Sequence, residues 1–162
     1  MEEMGELLDF LSQREDYCIF AGFASKILLG VSSSADVDVL AKDMNLIVNE
    51  LGKKGWSKTI KTEKVIMLQK DKTEIDVCKS EIPELFDSRS RIKYSDWELY
   101  VMSPEALFIT KMNNQLAKED RSEDKTKRDR ETIKRLRGKI DPEKLRKLIL
   151  KLPDEFWTER RW

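Results

Sequence analysis

The sequence contains no histidine. That absence removes Ser-His-Asp and Cys-His catalysis together with the commonest zinc ligand, leaving carboxylates, lysines, hydroxyls or a hard, oxygen-seeking metal to carry any chemistry. Cysteine is scarce: Cys18 and Cys78 lie far apart, each in a strand-like apolar run, and read as two reduced core thiols rather than a disulfide framework. No apolar run approaches the roughly 18 residues of a transmembrane helix. The first segment, MEEMGELLDFLSQRED, is acidic and amphipathic, unlike a secretory signal or transit peptide, so a cytoplasmic location is expected. An excess of one charge is also missing, with 31 Lys+Arg against 31 Asp+Glu. The balance is uneven along the chain, however: residues 118–162 carry 16 basic against 11 acidic side chains. A basic tail on an acidic body suits a polyanionic partner, and it equally suits a solvated helical face rich in opposite-sign pairs.

What is present is enough for one folded unit: 162 residues, 40% apolar and 38% charged. Met4, Leu7, Leu8 and Leu11 recur at helical spacing within residues 2–13. YCIFAG is a short apolar strand ending at Gly22, and FASKILLG suits one or two helical turns stopped by Gly30. A strand over 35–41 follows, then a helix capped by Asp43 and ended by glycines. VIMLQKDKTEIDVCKS reads as a hairpin, with strands at 64–69 and 73–78 around a turn at 70–72. A helical turn at 83–87 and a strand in DWELYVM lead to three helices, two of them started by Ser-Pro and Asp-Pro. Strands mostly first and helices last favour an α+β fold: a small mixed sheet over residues 1–102 with flanking helices, and C-terminal helices over 103–162 that either pack on the sheet or form a small lobe.

The functional signal lies in GVSSSADVDVLAKD. Residues two apart on a strand share a face, so Asp36 and Asp38 point together while Val37 and Val39 enter the core. Two carboxylates that close repel, and a cation between them or a proton on one relieves the repulsion. Mg²⁺, a hard ion that takes oxygen ligands and keeps several waters, suits the arrangement. In TEIDVC, Asp76 likewise alternates with Ile75 and Val77. If the hairpin lies beside the first strand, three carboxylates converge on one cleft, enough for a two-metal site. On its own, D-x-D also fits an edge strand whose charges discourage aggregation.

The order of these pieces resembles the DNA polymerase β-type nucleotidyltransferase superfamily: a glycine-ended strand and short helix (IFAGFASKILLG), then D-x-D (SADVDVL), then a lone Asp on a later strand (TEIDVC). Gly22 precedes Asp36 by fourteen positions, as the family pattern allows. Small one-domain members resembling abortive-infection toxins and antibiotic nucleotidyltransferases continue with a Ser-Pro-Glu-started helix bearing a lysine. A Lys-Asp-x-x-Asp-Ile-x-x-Leu helix then follows. Here SPEALFITKMNNQLA carries Lys111, and RDRETIKRL places Arg128, Asp129, Ile133 and Leu136, with Thr132 at the second Asp. Phe23 stands where many members have a second Gly or a Ser, and the family's arginine before D-x-D is absent.

The resemblance implies transfer of NMP from an NTP such as ATP to an acceptor hydroxyl, on a tRNA end, a small molecule or a protein, with release of pyrophosphate. It gives Asp36, Asp38 and Asp76 the catalytic and metal-binding roles for two Mg²⁺ ions. It makes Gly22 a close-approach point for triphosphate, and Ser25, Lys26, Ser34 and Lys111 candidate phosphate contacts. Arg128 and Asp129 are expected to pair and brace the helices, and the four tryptophans to pack. An antitoxin-type protein partner also belongs to this expectation. Two other readings stay open: a catalytically degenerate binding or scaffold protein that kept the fold, and a carboxylate-lined metal phosphatase or nuclease.

Overall fold

Every strand marked by alternation in the sequence is present, and two that alternation does not mark close the edges of the sheet. The computed structural model describes residues 2–31, 36–116 and 122–158. Its elements run α1 (Glu2–Ser12), β1 (Tyr17–Phe20), α2 (Ala21–Leu29), β2 (Asp36–Ala41), α3 (Met44–Lys53), β3 (Ser57–Lys61), β4 (Val65–Lys70) and β5 (Thr73–Lys79). There follow α4 (Pro83–Asp87), β6 (Ser90–Tyr94), β7 (Trp97–Val101), α5 (Pro104–Leu116), α6 (Glu123–Leu136), α7 (Pro142–Lys151) and α8 (Asp154–Thr158). The seven strands form one mixed sheet in the order β3-β4-β5-β2-β1-β7-β6.

The two unexpected strands, SKTIK and SRIKY, are the sheet's edges. An edge strand has one unpaired side and little apolar burial, so it carries no clean alternation; every residue of β3 is exposed. Lysines at positions 58 and 61 and a register shift between Lys58 and Ile60 blunt that edge. At the other β4 end, Lys70 pairs with Thr73 across a tight turn in which Asp71 takes a left-handed conformation, φ 51°.

By register, Val37, Val39, Ile66, Leu68, Ile75 and Val77 share one face, and all are essentially buried. Helix α3, capped by the Asp43 carboxylate accepting from Leu46 N–H at 3.1 Å, packs on β2, β4 and β5. Helix α1 packs on β7, where the Trp97 indole N–H donates to Asp9 at 2.6 Å. An Arg14 guanidinium joins the two regions, bonding Asp16 at 2.6 Å and also Glu50 on α3. The C-terminal helices do not stand apart: Ala106, Leu107, Ile109, Leu136, Leu152 and Phe156 belong to the same apolar cluster as the sheet. Trp56 is buried as expected, whereas Trp157 is 45% exposed, its ring edge-on to Phe156 with centroids 4.8 Å apart.

Leu8 lies in this core at 1% exposure, and Leu150 is 71% exposed on α7. Leu8→Ala is expected to cost about 2–5 kcal/mol in denaturant unfolding, through lost burial plus the cavity left behind. Leu150→Ala is expected to stay within about 0.5 kcal/mol of the parent.

Candidate active site

Strand β2 runs between antiparallel β1 and parallel β5, and the parallel register sets Asp38 directly beside Asp76 and Asp36 beside Glu74. The opposite faces of these strands are filled by valine and isoleucine, so the four carboxylates are held on the other face by the pleat itself. Asp38 also lies across from Phe20, the last residue of β1. The three aspartates singled out in the sequence are thus brought together. Glu74 was missed there, although its spacing of two from Asp76 carries the same period-two signal that marked Asp36 and Asp38.

The crowding appears in the proton affinities. Burial pushes the Asp38 carboxyl from 3.8 up to about 8, and the neighbouring Asp76 and Asp36 carboxylates add to the rise. The charge of Lys111 acts in the opposite direction. Asp76 is raised as well, chiefly by burial, although its hydrogen bond with Asp38 opposes the rise. Glu74 is raised by burial and by Asp36 and Asp76. One proton is thereby held between Asp38 and Asp76 at neutral pH. Asp76 keeps one buried oxygen, Oδ1, with no hydrogen-bond partner among the described residues.

An all-oxygen donor set, mutual repulsion and an orphaned buried carboxylate oxygen fit a hard divalent cation. Among the described residues, no three His, Cys, Asp or Glu side chains are arranged to hold a metal ion as they stand. A small recess of about 60 Å³, lined by Phe20, Leu40, Val65 and Cys78, adjoins the carboxylates, with Lys64 and Glu81 paired at 3.7 Å on its rim. A larger cleft, about 550 Å³, lies between α4, the start of α5 and α7 and contains none of the four carboxylates.

The turn from β1 into α2 departs from expectation. The strand ends at Phe20 rather than at Gly22: Ala21 takes a left-handed conformation, φ 57°, and Gly22 is the second residue of the helix. Phe20 caps α2 with extended backbone, φ −138° and ψ −172°, and its side chain accepts no hydrogen bond from the helix. Among the described residues, no side chain caps the first N–H groups of α2, beside a strand end that lies across from Asp38. Phe23 is buried at 2% and meets Tyr94 edge-on at 5.7 Å, which makes it a core residue of the helix.

The proposed phosphate contacts divide. Ser25 is 2% exposed and donates to the Ala21 carbonyl at 3.2 Å, inside its own helix. Lys26 is half-buried, with Nζ 5.8 Å from the Phe23 ring centroid. Ser34 lies outside the described residues, with the rest of the 32–35 segment. Lys111 is buried, and its ammonium donates to Asp129 at 3.1 Å. That partnership replaces the expected pairing of Arg128 with Asp129. Neighbouring residues on a helix point apart, so Asp129 turns inward while Arg128 is exposed.

No protein-family model and no curated protein matches the sequence. Solved structures do match, and they are nucleotidyltransferases. The antibiotic-resistance factor ANT(2'')-Ia, crystallised in complex with adenylyl-2''-tobramycin, superposes with a TM-score of 0.67 at 15% identity, covering 91% of this chain and 92% of that one. An antigenic nucleotidyltransferase-like protein from Paracoccidioides brasiliensis gives 0.63 at 16% identity, covering 92% and 86%. The Megavirus polyadenylate synthase gives 0.56 at 13% identity, covering 82% of this chain and 30% of that one. The chain has a nucleotidyltransferase fold. It is similar in architecture to the antibiotic-resistance factor and to the other structures named above.

Two outcomes follow from the site's strain. Ala21→Gly is expected to stabilise the protein by about 1 kcal/mol, because glycine adopts a left-handed backbone without the steric cost that alanine bears; denaturant titration reads it. The folded-state pKa of Asp38 lies above its ordinary value, so the folded protein binds the extra proton between pH 3.8 and about 8. Metal-free stability is then greatest on the acid side of that window and falls as pH rises, by up to about 1.4 kcal/mol per pH unit from this group. Asp38→Asn is expected to flatten that fall in thermal unfolding measured across pH 5 to 8.

Proposed function

We propose that the protein is a metal-dependent nucleotidyltransferase that moves NMP from an NTP to an acceptor hydroxyl. The observation that carries this reading is the parallel register that sets Asp38 beside Asp76, with Asp36 on the same face, near the uncapped start of α2 in a nucleotidyltransferase fold. Asp36, Asp38 and Asp76 would hold Mg²⁺, which when bound neutralises triphosphate charge and makes the acceptor hydroxyl more acidic.

The remaining steps belong to the chain's own groups. Backbone N–H groups at Ala21, Gly22 and Phe23 face the phosphates, aided by the positive end of the α2 dipole. The absence of a Cβ at Gly22 lets the backbone come close. Lys111 brings a cation to the same anionic ligand. Asp76 Oδ1, which has no hydrogen-bond partner among the described residues, accepts the proton of the attacking hydroxyl. The new bond joins the acceptor oxygen to the α-phosphorus, the bridging bond to the β-phosphate breaks, and pyrophosphate leaves. Positioning and charge neutralisation supply the rate enhancement, with no covalent enzyme intermediate. Acceptors consistent with this chemistry are small hydroxylated molecules, protein hydroxyls and the 3′ end of a tRNA.

A noncatalytic binding role is the second reading. Phe23, a buried core side chain where the family pattern has a second Gly or a Ser, favours it. Calorimetric titration of each of the four NTPs with Mg²⁺ separates the two. Metal-dependent binding is expected for at least one NTP, weakened at least about tenfold in Asp36→Asn/Asp38→Asn. Pyrophosphate release on adding candidate acceptors then distinguishes transfer from binding alone. A folded wild-type protein that binds no NTP contradicts the proposal.

A further inference from the structure

We propose that Asp129 is the positioning residue for Lys111, fixing its ammonium where α2, α5 and α6 meet so that it engages the phosphates of the bound nucleotide. The inference rests on the nucleotidyltransferase reading and adds to it a residue of α6 that acts only through Lys111.

Helix α6 is charged along most of its length, yet Asp129, Thr132, Ile133 and Leu136 are buried. The spacing i, i+3, i+4, i+7 is the stripe by which a helix packs on its neighbours. A carboxylate at the head of such a stripe needs a compensating partner, because burying a charge alone is costly. Its partner is Lys111, at 3.1 Å, and the two side chains are 8% and 11% exposed. Helix α5 packs against both α6 and α2, and α2 in turn touches α6. The pair is therefore enclosed where the three helices meet, against the helix that starts from the end of β1.

A free lysine has a flexible four-carbon stem and three rotatable donors. Here Asp129 takes one N–H, holding the stem in a single orientation and leaving the other donors for phosphate oxygens. Its distance from the ligand is set by core contacts of Ile133 and Leu136, so the precision of the lysine derives from packing.

The test is a double-mutant cycle on nucleotide affinity, read by calorimetry with Mg²⁺ and whichever NTP the wild type binds. Asp129→Asn keeps the shape and loses the charge, and is expected to weaken binding about ten- to hundredfold. Lys111→Met is expected to do the same. The double variant should bind no more weakly than Lys111→Met alone, because residues acting as one unit are not additive. Asp129→Glu, which keeps the charge, should recover part of the loss. Additive losses, or unchanged affinity in folded Asp129→Asn, overturn the proposal. Should Asp129→Asn fail to fold, the Lys111 side-chain resonance in wild-type protein labelled at lysine ¹³Cε must shift on adding Mg²⁺–NTP; an unmoved signal overturns it. Binding that depends on Asp36 and Asp38 but ignores Asp129 defeats this inference alone. Absence of any NTP binding by the wild type defeats it together with the reading beneath it.

Discussion

The parallel pairing of β2 with β5 is the constraint on which the site depends. It fixes Asp38 beside Asp76 and Asp36 beside Glu74 in one register, and the pleat then sends all four carboxylates to the same side. The valines and isoleucines between them are buried on the other side, so a slip by one residue would bury aspartate and expose valine. The hydrophobic core thus enforces the electrostatic repulsion. A fold that accepts such crowding leaves the site short of positive charge, which a shared proton relieves and which a divalent cation, on the proposed function, would relieve further.

Other parts of the molecule answer the same demand. Helix α2 points an uncapped N-terminus to the end of β1, across from Asp38, and Lys111 holds a buried ammonium within electrical reach of it. Asp129 balances that ammonium from α6, which ties a highly charged surface helix to the sheet through a buried ion pair. Removing one partner of such a pair typically destabilises a protein by about 3–5 kcal/mol, because it strands the other charge. The pair is thus a structural commitment of the C-terminal helices as well as a candidate element of the site. Left-handed Ala21 fits this picture of local strain placed next to functional groups.

How much of this was legible in the sequence depends on what kind of force fixes each feature. Half-buried strands and amphipathic helices show themselves through period, as β2, β4, β5 and β7 did, and β1, buried on both faces, was readable as a short apolar run. The edges β3 and β6 were not, since exposure erases alternation. Helix α8, five residues long, is too short for its period to be visible. Asp36, Asp38 and Asp76 were readable as a face because strand geometry is local, and their convergence followed from the hairpin. Glu74 carried the same signal and was passed over. The partner of Asp129 was out of reach: Lys111 lies 18 residues away on another helix, and only packing decides that they meet. The first strand was read as running to Gly22, whereas β1 ends at Phe20, Ala21 takes the left-handed conformation and Gly22 already belongs to α2.

On the proposed function, a divalent cation displaces the proton shared by Asp38 and Asp76. Proton release on adding Mg²⁺ with the bound NTP, followed in weakly buffered solution at pH 7, tests it most directly. Because Asp38 titrates near about 8, the account predicts release of a proton from the wild type in excess of that from Asp38→Asn. Equal release from the two proteins, with nucleotide bound in both, would contradict it.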